Sequence, residues 1–377
     1  MPGLFVLIKP VSGLCDLQCD YCFYRDETEK RSCASYGKMK LETLEKVIEK
    51  ALGYAEGVCT FAFQGGEPFL RGIDFYKQVL EFQKRYNKNN VKIENAIQTN
   101  GCSFDTAWAC FLAENNFLVG ISLDGIRRTN DKCRKDQNGN GSFDRIMQAL
   151  SLCDRCGVEY NLLTVVNRYT AGQVKKIYQF YKKHCFEYLQ FIPCLDPLGE
   201  VPGQHEYSLT PEAYGNFLNE LFDLWYSDVK TGEQPYIRQF ENILGMMLGI
   251  TPEACDQKGI CGMQYVVEAD GAVYPCDFYV LDDWRLGNLT EDSFEEIDQK
   301  RKESGFIEMS KCFSEVCRVC EFFWICRGGC RRHRQLNDAG EFQNYFCQAY
   351  REFFRRTLSR WKLLAEYLQG NHVNVIK

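Results

Sequence analysis

Histidine is scarce in this chain, with four residues in 377. Zinc enzymes that build a catalytic site from imidazoles need more, so metal chemistry here must rest on other ligands. A cationic balance is missing too. Lys and Arg number 45 against 51 Asp and Glu, a formal net charge of −6. A surface of that sign repels a phosphate backbone, which excludes a general nucleic-acid binder. No stretch approaches the roughly 18 apolar residues of a membrane span. The opening MPGLFVLIKP has no basic start, no long apolar stretch and no small-residue cleavage site, so it does not read as a signal peptide. The expected setting is the reducing cytoplasm, where disulfides are rare. There is no internal repeat and no low-complexity tract.

What the chain has is cysteine: 21 residues, an odd number that disulfides cannot consume. With 45% hydrophobic and 25% charged residues the composition is otherwise that of a globular protein. Grouped cysteines in a reducing compartment point to metal, and scarce histidine shifts the weight to thiolate-only ligation.

The first half alternates strand and helix. Residues 4–9, 59–64, 91–98, 117–124, 158–166 and 187–195 read as strands. Helical spacing at 40–55, 74–88, 104–115, 143–156 and 171–184 separates most of them. Repeated βα units imply a parallel sheet with helices on its faces, either an open doubly wound sheet or a partial barrel. Near residue 196 the rhythm breaks. Helices at 211–228 and 235–249 bridge to a region of short elements and cysteines, including an Asp-Gly hairpin signal at 270–271 and a final helix over 341–368.

Cys15, Cys19 and Cys22 form C-x3-C-x2-C just after the first strand. Three thiolates can hold three irons of a [4Fe–4S] cluster and leave the fourth iron open to another ligand; a structural zinc site is the competing reading. Ligands of α/β sheets bind beyond the carboxyl ends of strands, where this loop lies. The stretch CDLQCDYCF, with an aromatic before the last cysteine, resembles the motif of radical S-adenosylmethionine (SAM) enzymes. Gly65, Gly66 and Glu67 follow the second strand in QGGEP, and the resemblance sets them at the SAM amino group. It sets Ser122, Asp124 and Arg134 near the SAM ribose and carboxylate, where caps and surface pairs are the plainer alternative. Tyr21 and Leu195 join the expected cofactor contacts.

The second cysteine region runs Cys261-x9-Gly271-x4-Cys276, then Cys317-x2-Cys320-x5-Cys326-x3-Cys330, then Cys347. The order is similar to that of the SPASM extension of radical SAM enzymes, which carries two auxiliary [4Fe–4S] clusters; two four-thiolate zinc sites are the alternative. Cys255, close upstream of Cys261, supplies the eighth ligand. The resemblance implies Cys255, Cys261, Cys276 and Cys330 at one cluster, and Cys317, Cys320, Cys326 and Cys347 at the other. Three sets then use 11 cysteines. The other ten, Cys153-x2-Cys156 among them, read mostly as small buried apolar residues.

An open cluster that cleaves SAM and a closed cluster that takes up an electron together suggest an oxidation. A base at the oxidised carbon's OH or SH is then expected, and Asp277, directly after Cys276, is the candidate. LIKP, FAFQGGEP, QTNG, FLVGIS, CLDP, FDLWY, CDFYV, WRLGN and the GGCRR after Cys326 extend the likeness along most of the chain. The whole resembles an anaerobic sulfatase-maturating enzyme. Such enzymes oxidise a Cys or Ser in a Cys/Ser-x-Pro/Ala-x-Arg motif of a sulfatase to Cα-formylglycine.

The resemblance implies a partial (β/α)6 TIM-like barrel with a C-terminal cysteine-rich SPASM domain. The expected division is residues 1–233 and 234–377. It implies three [4Fe–4S] clusters, SAM, a sulfatase polypeptide substrate and a low-potential electron donor. Asp277 becomes the base, with Tyr24, Gln64 and Gln98 near the substrate peptide. Asn130 stands where relatives often carry His. The alternative is a SPASM maturase that forms thioether or carbon–carbon crosslinks in a ribosomal peptide. Only 14 residues precede Cys15, which reads against the peptide-recognition domain those enzymes often carry.

Overall fold

The computed structural model describes residues 3–370. Six βα steps come first, with strands β1 (Leu4–Ile8), β2 (Val58–Phe63), β3 (Lys92–Thr99), β4 (Phe117–Ser122), β5 (Tyr160–Val166) and β6 (Tyr188–Pro193). Short strands β7 (Tyr236–Ile237), β8 (Tyr265–Val267), β9 (Ala272–Tyr274), β10 (Gly287–Asn288), β11 (Arg334–Leu336) and β12 (Phe342–Asn344) follow.

Two compact units are distinguished. The first takes residues up to Ser122, Arg134–Asn161 and Met263–Phe306. Its strands run in the order β10-β9-β8-β1-β2-β3-β4, with β8, β1, β2, β3 and β4 parallel and β9 and β10 antiparallel. β1 is therefore central, and its pattern shows it: four of the five residues of LFVLI are buried, as expected of a strand covered on both faces. The Asp-Gly hairpin forms as the composition predicts, but its first strand joins the far edge of β1. One further bond, Lys9 N–H to Val267 O at 2.8 Å, extends that pairing past the end of β1.

The second unit takes Leu123–Cys133, Leu162–Gly262 and Ile307 onward. Here β5, β6 and β7 are parallel neighbours and β11 and β12 form a hairpin. Its core is aromatic. Phe222 and Trp225 on the Pro211–Val229 helix pack against Phe240 on Arg238–Met247 and Trp361 on the terminal Cys347–Gly370 helix, with Phe222 and Trp361 centroids 4.6 Å apart. Residues 351–370 thus form a structural wall of this unit.

The expected helix over 171–184 is two, Arg168–Ala171 and Val174–Lys183. Asn167 caps the first through a reciprocal pair with Thr170, and Gly172 ends it. The final helix starts at Cys347 because 342–344 is spent in β12. Several helices had no sequence expectation, the longest of them Phe23–Lys30 and Phe294–Glu303. Both are polar in composition, so their apolar periodicity is weak. Among the described residues no helix is long and apolar enough to cross a membrane.

Candidate active site

The loop after β1 carries three of the expected ligands. Cys22 N–H donates to Cys19 O at 3.2 Å, and Cys22 directly precedes the Phe23–Lys30 helix. Cys15 Sγ accepts from Leu17 N at 3.4 Å and from Asn100 Nδ2 at 3.7 Å. Asn100 also donates to Asp16 Oδ1 at 2.6 Å. Arg134 Nη1 stands 3.9 Å from Cys19 Sγ, with its guanidinium 5.7 Å from the centre of the Tyr21 ring. Cys15, Cys19, Tyr21 and Arg134 therefore meet in one place. Burial pushes the Cys15 thiol up to about 12.

The QGGEP turn closes on this loop. Glu67 N–H donates to Leu14 O at 2.8 Å. Gly66 sits at φ +59°, and a Cβ there would lie 2.2 Å from Leu14 O. Only glycine tolerates both the conformation and the approach. The Glu67 side chain points inward, accepting from Phe69 N, Thr99 Oγ1 and Asn100 N at 3.0, 2.8 and 2.7 Å. It ties the turn to the end of β3, leaving the turn's backbone as the part available to a ligand. Burial raises its pKa to about 7 against those three donors.

Ser122 Oγ accepts from Gln98 Nε2 at 3.0 Å, joining an expected cofactor contact to an expected substrate contact. Asp124 lies in the second unit, fully buried, with Oδ1 accepting from Val165 N at 2.9 Å. Asn130 Oδ1 accepts from Asp124 N at 3.2 Å, so the residue found in place of His holds this turn. Leu195, in the same unit, accepts at its carbonyl from the Cys194 thiol at 3.7 Å.

Asp277 has both carboxylate oxygens engaged. Oδ1 pairs with Lys9 Nζ at 2.5 Å and Oδ2 accepts from Gln64 Nε2 at 2.7 Å. Lys9 is fully buried, and its ammonium lies 3.8 Å from the centre of the Tyr24 ring. The Tyr24 hydroxyl donates to Glu268, which also accepts from Arg31 Nη1 at 2.9 Å. Burial, then the Glu268 charge, holds the Tyr24 phenol well above its ordinary range. Tyr24 belongs to an apolar cluster with Leu7, Val266 and Tyr274. Lys9, Arg31, Glu268 and Asn100 were not singled out by sequence. A lysine closing an apolar strand and a glutamate closing YVV were the signals for two of them.

In the second unit Cys317, Cys320, Cys326 and Cys347 line one pocket, walled by Val316, Phe322, Phe323, Gly328 and Arg351. Four thiols around an apolar chamber fit a fully ligated cluster. Among the described residues no three His, Cys, Asp or Glu groups close to the spacing of a single metal ion. Cys330 feels the charges of Cys255 and Cys261, and burial pushes it up to about 12. The Arg334 guanidinium braces that region, donating to the carbonyls of Gly259, Gly328, Gly329 and Ser310. Cys276 stands in the first unit, two residues past β9.

The remaining ten cysteines correct an expectation. Only Cys59, Cys133, Cys153 and Cys194 are buried, while Cys110, Cys185 and Cys312 are exposed and Cys33, Cys102 and Cys156 are half-buried. Cys153 is buried in the Phe143–Cys156 helix, and Cys156, the last residue of that helix, is half-buried.

Residues 10–181 match the Radical SAM superfamily and residues 259–321 the SPASM iron–sulfur cluster-binding domain. The chain is 46% identical to the cysteine-type anaerobic sulfatase-maturating enzyme of Clostridium novyi, over 98% of this chain and 99% of that protein. It is 32% identical to the serine-type enzyme of Bacteroides thetaiotaomicron, over 99% and 94%. The solved structure of native anSMEcpe with bound AdoMet and Cp18Cys peptide superimposes with a TM-score of 0.92 at 44% identity, covering 97% of this chain and all of that one. With likeness of this extent, the chain belongs to the anaerobic sulfatase-maturating enzymes, radical SAM proteins with a C-terminal SPASM domain.

Proposed function

We propose that this enzyme oxidises the cysteine of a Cys-x-Pro/Ala-x-Arg motif in a sulfatase polypeptide to Cα-formylglycine, in the reducing cytoplasm and with a low-potential electron donor. The preference for cysteine over serine follows the relatives, 46% identical to a cysteine-type enzyme against 32% to a serine-type one. The observation that carries the reading is Asp277, gripped at both oxygens beside the residue that follows β9 and Pro275.

In this reading Cys15, Cys19 and Cys22 hold the open cluster. Tyr21, the backbone of Gly65, Gly66 and Glu67, and Ser122, Asp124, Arg134 and Leu195 hold SAM. Cys255, Cys261, Cys276 and Cys330 hold one auxiliary cluster, and Cys317, Cys320, Cys326 and Cys347 the other. Residues 1–233 form the barrel part and 234–377 the SPASM part. Bound together, these groups supply hydrogen-atom abstraction and one-electron uptake.

The chain's own work is positional and acid–base. The Asn100 and Arg134 donors beside Cys15 and Cys19 make the open site polar enough for a zwitterionic ligand. Asp277 accepts the proton of the target thiol. That raises the electron density at sulfur, so the neighbouring carbon is more readily oxidised. Gln64 orients the carboxylate, and Gln98 and Tyr24 border the peptide.

The test is anaerobic incubation with SAM, a reductant and matched peptides carrying Cys or Ser in the motif. Aldehyde is expected faster from the Cys peptide. SAM cleavage without aldehyde from either peptide would point to the crosslinking alternative. Asp277→Asn is expected to keep all three clusters and lose most aldehyde formation; wild-type activity in that variant removes Asp277 as the base.

A further inference from the structure

We infer that Lys9 is a positioning residue for Asp277, and that Gly65 is a glycine because Lys9 must pass it. The inference rests on Asp277 being the base. Lys9 closes β1 and is fully buried, yet it carries a charge. A buried ammonium is costly unless paired, and Lys9 Nζ meets Asp277 Oδ1 at 2.5 Å, with the Tyr24 ring face 3.8 Å away. Asp277 keeps 11% of its side chain exposed. Each oxygen is thus held by one donor, Oδ1 by the ammonium and Oδ2 by the Gln64 amide, so the carboxylate is fixed in orientation while part of its surface stays reachable.

The route of the lysine explains the turn. At Gly65, φ is +115° and a Cβ would lie 2.8 Å from Lys9 Cγ, 3.0 Å from Nζ and 3.1 Å from Cδ. Any side chain there would meet the length of the Lys9 stem and push the ammonium off Asp277. Gly66 differs, because its Cβ would meet the Leu14 and Ser12 carbonyls. The two adjacent glycines thus serve different neighbours. Gly66 admits the cysteine loop, and Gly65 admits the lysine that aims the base. Gln64, the residue before them, donates to the other oxygen of the same carboxylate. The segment from Gln64 to Gly66 therefore reaches both the cysteine loop and Asp277.

The experiment uses the reconstituted full chain. Lys9→Met is expected to lower aldehyde formation about 100-fold, the scale of a misplaced catalytic group. Peptide KM, SAM affinity by equilibrium dialysis and iron content should stay at wild-type values, so 5′-deoxyadenosine formed per aldehyde rises. Gly65→Ala should reproduce that loss and, if Lys9→Met fails to load iron, carries the test alone. In a Lys9→Ala background the additional loss from Gly65→Ala should largely vanish. Backbone strain at φ +115° is common to both backgrounds and cancels in the comparison.

Wild-type aldehyde formation in Lys9→Met overturns the inference. So does a Gly65→Ala variant that weakens SAM binding equally with and without Lys9, since Gly65 would then serve SAM alone. Asp277→Asn separates the two levels. If it is fully active the base assignment falls, whereas an inactive Asp277→Asn beside an active Lys9→Met removes only the role given to Lys9.

Discussion

The Cys15–Cys22 loop and the Cys317–Cys347 region both gather thiols, yet their surroundings differ. Around the first stand Asn100, Asp16 and Arg134, all hydrogen-bonding or charged. Around the second stand Val316, Phe322, Phe323 and Gly328, with Arg351 as the one charged side chain. A thiolate set in polar company leaves room for a polar co-ligand. A set walled by aromatic rings is closed to one, and its low dielectric tunes potential instead. Ligand type is shared; the first set offers three thiols and the second four, and the surroundings differ in the same sense.

The largest effect should come from the polar set. Cys15→Ala is expected to abolish SAM cleavage and remove about four of roughly twelve irons, leaving the two closed clusters; iron analysis with a 5′-deoxyadenosine assay checks both. Next is the apolar set. Cys320→Ala should spare SAM cleavage while most aldehyde formation is lost, and equal loss of both activities would erase the distinction drawn here. A smaller effect falls on the polar company itself. Asn100→Ala removes the donor to Cys15 and Asp16, and SAM cleavage should slow about tenfold with iron content retained, as for other groups behind a metal ligand.

The smallest expected effect is on stability. Burial, then the Arg332 charge, pushes His333 down to about 3 from its ordinary 6.5, and its Nε2 has no hydrogen-bond partner. The folded chain binds fewer protons there than the unfolded one, so this contribution is complete above about pH 6.5 and is lost as pH falls toward 3. The urea midpoint should therefore drop between pH 7.5 and 5.5, and drop less in His333→Phe.

Much of the fold was legible because its signals are local. The six strands appear within a few residues of their expected bounds, since apolar runs between helical repeats report burial directly. The Asp-Gly hairpin was legible for the same reason. Its placement against β1 was not, because pairing across more than 250 residues leaves no local trace. At the site, Cys15, Cys19, Cys22 and the glutamine and glycines of QGGEP were visible as motifs. Lys9 and Glu268 looked like strand ends, and Arg31 like a surface charge, because a buried ion pair is a property of two distant positions at once. Nor was it legible that the Tyr24 hydroxyl meets Glu268, a partner 244 residues away.

The sequence by itself determined the ligand chemistry, through 21 cysteines against four histidines and the spacing of the grouped ones. It determined the βα rhythm as well, since both are written in residue type and period. Only the tertiary structure decided what each thiol set stands among, and that the charge facing Asp277 comes from the end of the first strand. Environment and charge pairing depend on which segments meet, and burial sets their strength, so neither exists until the chain has closed on itself.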